Sequence, residues 1–427
     1  MWVDKRYETE NESFRHLHRR LKNITFANTC ITSEKKMIQK ESLTIKSFGP
    51  IQTVNLDDIP PFLFLIGESG SGKSTILKVL AMMRHIYKQL TLRSYLKLGN
   101  VTAKSIVFSF DEYLRNGGMT DYIKDDTKLV YTKGDLTIAY TKKDGLQGTK
   151  GKVIQADALS LEKISFMSDK RGAIASLLAN NSDGAALGFY FQETFKDFKD
   201  AAENIHAIEI PFLKIRYYEQ KAKNGARQFF IGGGRQEATG NKNTYDIHFE
   251  DASSGIQTMT PLTLIAEYFS KSFDIVKATN QSVANLLARN DSLASFKHDM
   301  NIGDISNRFI HLFIEEPELS LFPKAQRSSI NMLVRKCMNA TIRMTLAVAT
   351  YSPYIVNHLN LLMKAHDKGV LIEGASLEYG QVGVFLVENG GVCDLKVQNA
   401  HLVNTDRLSD DINEIYDEYD RLEEIGK

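Results

Sequence analysis

The sequence predicts an α/β protein whose chemistry sits at strand ends of a parallel sheet, with a compact mixed α/β insertion in its middle. Three observations predict it. Phe64-Leu65-Ile66 is an apolar strand that breaks into Gly67-Glu68-Ser69-Gly70-Ser71-Gly72-Lys73-Ser74-Thr75 and opens a helix from Ile76 to about Ile86. Phe309 to Ile314 is a second apolar strand, and it ends in Glu315-Glu316-Pro317-Glu318. Met344 to Ala349 is a third, turning through Thr350-Tyr351-Ser352-Pro353 into a helix. Polar residues at the carboxyl ends of parallel strands are what a doubly wound sheet places at its binding edge.

The first of these stretches matches the phosphate-loop pattern GxxxxGK followed by Ser or Thr, in its proper strand-to-helix setting. Gly67, Ser69, Gly70 and Gly72 let successive backbone N–H groups converge on a phosphate, and the helix N-terminus adds its own unpaired donors. Lys73 supplies positive charge to the β- and γ-phosphates, and Ser74 offers a hydroxyl to Mg2+. Thr75 packs there or bonds the α-phosphate. ATP and Mg2+ are therefore the expected ligands. The competing reading is a Gly/Ser surface loop.

The second stretch puts two acids at the end of a core strand, which is costly unless they serve a cation or a water. Glu315 can hold Mg2+, and Glu316 can polarise an attacking water. Leu319 to Pro323 then leads into a helix from Ala325 to Met338.

Composition narrows the remaining choices. The 427 residues suffice for one to three domains, and 53 Lys plus Arg against 52 Asp plus Glu leave a formal charge of +1. Such a balance points neither to nor away from nucleic acid. Cys30, Cys337 and Cys393 have no metal-ligand spacing and suit a reducing cytoplasm. No signal segment or membrane-length apolar run occurs, so a cytoplasmic protein without a membrane span is expected.

In chain order, residues 1–42 read as a charged N-terminal arm with Arg15, Arg19, Arg20 and Lys22. Residues 43–95 form the first part of a nucleotide-binding domain: a strand to Phe48, a Gly49-Pro50 turn, a strand from Ile51, then the phosphate loop. Residues 96–224 change texture and read as an insertion or lid. They include a hairpin around Lys133-Gly134-Asp135 and amphipathic segments Arg171 to Asn180 and Phe189 to Asn204, with no heptad run. Residues 225–397 return to the nucleotide-binding pattern. Gly232-Gly233-Gly234-Arg235 lacks a Lys-Ser ending and reads as a hairpin tip rather than a phosphate loop, with Arg235 open to a partner or nucleic acid. Ser253-Ser254-Gly255 stands where a helix should begin, as an anion site or an ordinary serine cap. Residues 398–427 carry a helix capped by Ser409, with Ile412, Ile415, Tyr416, Tyr419 and Leu422 on its apolar face. It packs on its own domain or, alternatively, binds a partner.

Together these motifs resemble the soluble ATP-binding-cassette ATPases of the RecF/OLD-like group. Ser47-Phe48-Gly49-Pro50 is similar to the group's opening strand, and Gly67–Thr75 to its phosphate loop. Ser253-Ser254-Gly255-Ile-Gln257 is similar to its signature motif, and Ile314 to Glu318 to its metal and catalytic strand. Leu319 to Pro323 resembles the loop at its dimer interface, and Thr350 to Tyr354 its switch segment. The insertion between phosphate loop and signature motif matches poorly.

The resemblance implies an ABC ATPase head of the P-loop NTPase class, a member of the wider AAA family. It would be a homodimer or higher homo-oligomer sandwiching ATP, with Ser253 of one copy reaching the γ-phosphate held by Lys73 of another. It also implies a nucleotide-proximal role for Arg171. Tyr351 replaces the group's switch histidine at a catalytic position, which implies slow hydrolysis or a side chain that points elsewhere. The metal-dependent nuclease domain of OLD-type proteins is not expected here. The implied role is a sensor ATPase of an anti-phage (antiviral) defence system with a separate nuclease or toxin. A DNA-repair ATPase of RecF type, with DNA as a partner, and an ATP-gated scaffold with little hydrolysis are the alternatives.

Overall fold

The computed structural model describes residues 39–427 apart from 102–105, 107, 181, 183, 185–186, 224, 237–241, 290–295, 297–299, 409 and 426–427. Arg15, Arg19, Arg20, Lys22, Cys30 and Ser409 lie outside the described residues, as do the side chains of Arg235 and Ile412. The chain divides into two units, Met1–Gln39 and Lys40–Lys427.

In chain order the strands and helices of the second unit are β1 (Glu41–Phe48), β2 (Ile51–Leu56), β3 (Phe62–Ile66), α1 (Lys73–Leu98), α2 (Phe110–Gly117), β4 (Ile123–Lys133), β5 (Leu136–Thr141), β6 (Gly145–Gln147), β7 (Ser160–Met167), α3 (Ile174–Ala179), α4 (Phe189–Asn204), β8 (Ala207–Ile210), β9 (Ile215–Lys221), β10 (Arg227–Gln236), β11 (Lys242–His248), α5 (Ser254–Lys271), α6 (Ile275–Arg289), β12 (Asn307–Glu315), α7 (Pro323–Met338), β13 (Arg343–Thr350), α8 (Pro353–Asp367), β14 (Val382–Glu388), β15 (Gly391–Asp394), β16 (Lys396–Val397), β17 (Leu402–Val403) and α9 (Asp410–Glu424).

A six-stranded sheet in the order β15-β14-β3-β13-β12-β7 forms the centre, parallel except for β15. The central strand β3 is buried on both faces and so reads Phe-Leu-Phe-Leu-Ile without a polar residue. Phe62, Phe64 and Ile66 point into one core with α4, α5, α7 and α8. Leu63 and Leu65 point into the other, with α1 and a five-stranded antiparallel sheet in the order β2-β1-β4-β5-β6. The period-2 alternation of one strand thus feeds both cores.

The expected insertion, residues 96–224, contributes to both sheets. β4 pairs with β1 along its length, and β7 is the edge strand beside β12. A buried Glu41–Arg84 pair, 2.7 and 2.8 Å, joins the antiparallel sheet to α1, and Tyr131 also donates to Glu41. Burial alone would raise the Glu41 pKa, but Arg84 outweighs it and holds the carboxyl down at about 2.

Two expectations are corrected. Gly232 and Gly233 are not a hairpin tip: both lie inside β10, paired with β9 and β11, and the two strands run on to Gln236 and Lys242. A Cβ at Gly233 would stand 2.3 Å from the Tyr245 ring, so the glycine makes room for its cross-strand neighbour. The expected apolar face of α9 is not covered by the domain at Ile415, Tyr416 and Leu422, which are 65–66% exposed. Amphipathic spacing identifies an apolar face but not a surface to receive it.

Candidate functional site

Register brings the candidate residues together. On adjacent strands Ile66 stands opposite Thr350, and Ala349 opposite Glu315. Parallel strands lie about 4.8 Å apart. The phosphate loop, the paired acids and the Thr350-Tyr351 turn therefore leave the sheet at one level, on its carboxyl edge.

Gly67 to Gly72 links β3 to α1, with Glu68, Ser69 and Gly70 exposed at the rim. Gly72 caps α1 with φ 110°, a left-handed conformation that a side chain would strain. Lys73 donates from Nζ to the carbonyl oxygens of Gly67 and Glu68, both at 2.7 Å, and lies over the Tyr351 ring. Burial pushes its pKa down to about 8, against Glu316, Glu318 and Glu68, which favour the charged form. Thr75 is buried in the first turn of α1.

Ser74, in the first turn of α1, acts on the Glu315 carboxylate at the end of β12. Glu315 is itself buried, and burial raises its pKa while Lys78 and Ser74 oppose the rise. One hydroxyl and one carboxylate are the hard oxygen donors that suit Mg2+. No group of three or more His, Cys, Asp or Glu gathers as a metal site among the described residues. A Mg2+ held by Ser74 and Glu315 would complete its shell with phosphate oxygens and water.

Glu316 is half-buried and takes a left-handed backbone, φ 48°, which costs on the order of 1 kcal/mol for a non-glycine residue. Its carbonyl accepts from the Leu319 N–H at 3.1 Å, and two longer-range contacts hold it. Its N–H donates to Ala349 O at 2.8 Å, and its carbonyl accepts from Arg171 Nη2 at 2.6 Å. Its pKa is raised, first by burial and then by Glu318, Asp169 and Glu315. A carboxylate held in this way is suited to accept a proton.

Arg171, expected near the nucleotide, lies against the acidic turn. It is fully buried, and its guanidinium donates to the carbonyls of Ser168, Glu315, Glu316 and Thr258. Burial lowers its pKa to about 10, so it stays charged and braces the acidic turn from below.

The sequence pattern assigns Glu318 no role, yet the structure gives it one. Its Oε1 accepts from Thr350 Oγ1 at 2.8 Å and from the Tyr351 N–H at 2.6 Å, and its Oε2 is buried with no hydrogen-bond partner. Burial raises its pKa, and those two donors oppose the rise. The third acid of Glu-Glu-Pro-Glu is the signal that could have found it.

Ser253, Ser254 and Gly255 stand at the head of α5. Among the described residues no hydrogen bond, ion pair or ring contact joins them to residues 67–75. Ser253 caps α5 without a side-chain hydrogen bond to the helix, which departs from the ordinary serine-cap reading. Both serines are exposed. Gly255 packs on the loop after the acids, where an added Cβ would stand 2.7 Å from Ser320 O.

No helix among the described residues is long and apolar enough to cross a membrane. No protein-family model matches the chain, and no curated protein matches it. Among solved structures it is similar to an Smc head bound to the C-terminal winged-helix domain of ScpA, at 10% identity and TM-score 0.37, over 85% of this chain and 99% of that one. It is also similar to the SMC head domain from Thermotoga maritima, at 11% identity and TM-score 0.33, over 85% and 100%. A third is the recombination mediator RecF in the RecFOR pathway, at 9% identity and TM-score 0.32, over 84% and 99%.

Proposed function

We propose that the chain is an ABC-type ATPase that binds Mg·ATP at Gly67–Thr75, hydrolyses it slowly and uses it to gate self-association. The observation that carries this is the convergence of Lys73, Ser74, Glu315 and Glu316 at one sheet edge. The loop N–H groups would cradle the phosphates, and Lys73 would leave the Gly67 and Glu68 carbonyls for them. Bound Mg2+ would offset the charge on the transferred phosphoryl group. Glu316 would take the proton of the attacking water. The exposed Ser253 and Ser254, which among the described residues make no hydrogen bond to the phosphate loop of their own chain, would serve the nucleotide of a second copy in a head-to-tail pair. Tyr351, against Lys73, would sense the phosphate.

Calorimetry with Mg·ATP and a phosphate-release assay test this reading. Lys73→Ala should abolish binding. Glu316→Gln should keep binding and lower turnover by about 10²–10⁴-fold, the range for removal of a general base. ATP binding by Lys73→Ala equal to the wild type would refute the site. Binding without measurable turnover by the wild type would leave the ATP-gated scaffold.

Of the biological settings, we place a RecF-like clamp on DNA ahead of an anti-phage sensor, because a clamp requires only a second copy and DNA. The sensor requires a separate nuclease or toxin as effector. Binding of duplex DNA that requires ATP and weakens steeply with salt supports the clamp. ATP-dependent assembly without DNA binding supports the sensor.

A further inference from the structure

Two loops on the site edge are bridged twice. Glu318 Oε1 takes both the Thr350 hydroxyl and the Tyr351 N–H. Eight residues on, Gln326 Oε1 accepts from the Ser352 hydroxyl at 2.5 Å, while Gln326 Nε2 donates to Leu321 O at 2.9 Å. Ser352 in turn caps α8 through the Ile355 N–H, and its own N–H donates to Thr350 Oγ1. The turn after β13 therefore cannot move independently of residues 318–326.

That same loop contacts the start of α5 on its other side. The single Thr258 hydroxyl proton is shared between Gly255 O and Leu319 O, both 3.1 Å from Oγ1, and Gly255 lies close against Ser320 O. Ser320 has φ 60°, a tight bend that fixes where its carbonyl points. At the opposite end of the chain of contacts, the Tyr351 ring lies 3.7 Å from Lys73 Nζ. A continuous path of packed groups thus runs from Lys73 through Tyr351, Glu318 and Leu319–Ser320 to Gly255. Glu318 is the link at Tyr351 itself, since one of its carboxylate oxygens takes both the Thr350 and the Tyr351 hydrogen bond, while Gln326 ties the turn at Ser352.

Resting on the nucleotide reading, we propose that Glu318 is a positioning residue that couples nucleotide at Lys73 to the order of Ser253–Gly255 in the same chain. Phosphate drawing Lys73 away from Tyr351 changes what the turn packs against. Through Glu318 that change reaches Ser320, and through Ser320 the glycine at the head of α5. A chain that has bound its own nucleotide then presents an ordered serine pair to a second copy. Coupling between sites commonly amounts to about 5–150-fold in an equilibrium constant.

Amide hydrogen exchange with Mg·ADP tests this, because ADP reaches Lys73 but lacks the γ-phosphate that would hold a second copy. Solution mass on the same samples shows that they are monomeric. In the wild type, ADP should slow exchange at 67–75 and, on the order of tenfold, at 253–258. Glu318→Gln keeps an acceptor oxygen for both donors and should keep both effects. Glu318→Ala should keep protection at 67–75 and lose it at 253–258. Thr350→Val, which removes one of the two donors, should weaken the second effect and is the test if Glu318→Ala does not fold. Full protection at 253–258 in both Glu318→Ala and Thr350→Val overturns the coupling. No protection at 67–75 in the wild type overturns the nucleotide reading itself and the coupling with it.

Discussion

The Lys73 ammonium rests 3.7 Å from the centre of the Tyr351 ring while donating to two carbonyls of its own loop. The loop and the ring both engage the ammonium, so a phosphate that draws it away displaces a cation–π contact. Exposed contacts of this kind contribute about 0.5–1 kcal/mol. Tyr351→Ala should accordingly tighten Mg·ATP binding by roughly twofold to fivefold, and Tyr351→Phe, which keeps a ring, should leave it nearly unchanged. Calorimetric titration decides this. Weaker binding by Tyr351→Ala would mean that the ring supports the nucleotide instead.

The acids predict a pH dependence. Burial and the neighbouring Glu318, Asp169 and Glu315 raise the Glu316 pKa above its ordinary 4.5. A base is active when deprotonated, so turnover should rise with pH through that raised value. Glu318→Gln removes the like charge that acts most on Glu316 and should move the acid limb of the kcat profile to lower pH. An unmoved limb would assign it to another group.

Arg171 tests whether the turn is held from beneath. Its guanidinium bonds four carbonyls, two of them belonging to Glu315 and Glu316. Arg171→Leu leaves those acceptors without their donor at a buried site and should cost about 3 kcal/mol or more, with turnover lost. Denaturant unfolding measures the first and phosphate release the second. A stable, active Arg171→Leu would show that the turn needs no such brace.

The Glu41–Arg84 pair makes a separate prediction for stability. Arg84→Met strands a buried carboxylate and should cost about 3–5 kcal/mol, while the double change Glu41→Leu with Arg84→Met should recover most of it. The sign with pH comes from the depressed Glu41 pKa of about 2 against the ordinary 4.5. Its stabilisation is complete above about 4.5 and is lost as pH falls towards 2. Acid unfolding of the Arg84→Met variant should therefore begin at higher pH than that of the wild type.

The motifs that local pattern can carry were legible in the sequence. Gly67–Thr75, the Phe309–Ile314 strand with its acids and the Thr350–Pro353 turn each announce themselves within a few residues. Relationships set by register were not. That Glu318 bonds Thr350 and Tyr351 depends on β12 lying beside β13 and on the left-handed turn at Glu316. That Arg171 lies under the acids, across 144 residues of sequence, depends on β7 joining the same sheet. The pairing of β4 with β1 is likewise a long-range choice that strand propensity does not make. Gly232 and Gly233 misled because a glycine run signals a turn, while here it clears space for Tyr245 and Asp246 on β11.

The joining of two copies by nucleotide, through Lys73 of one and Ser253 of the other, is tested most directly by solution mass. The samples are Glu316→Gln with Mg·ATP, beside Glu316→Gln carrying Ser253→Arg. Glu316→Gln should double in mass with ATP and not without it, and the added Ser253→Arg should keep it single. A mass that ATP does not change would contradict the sandwich.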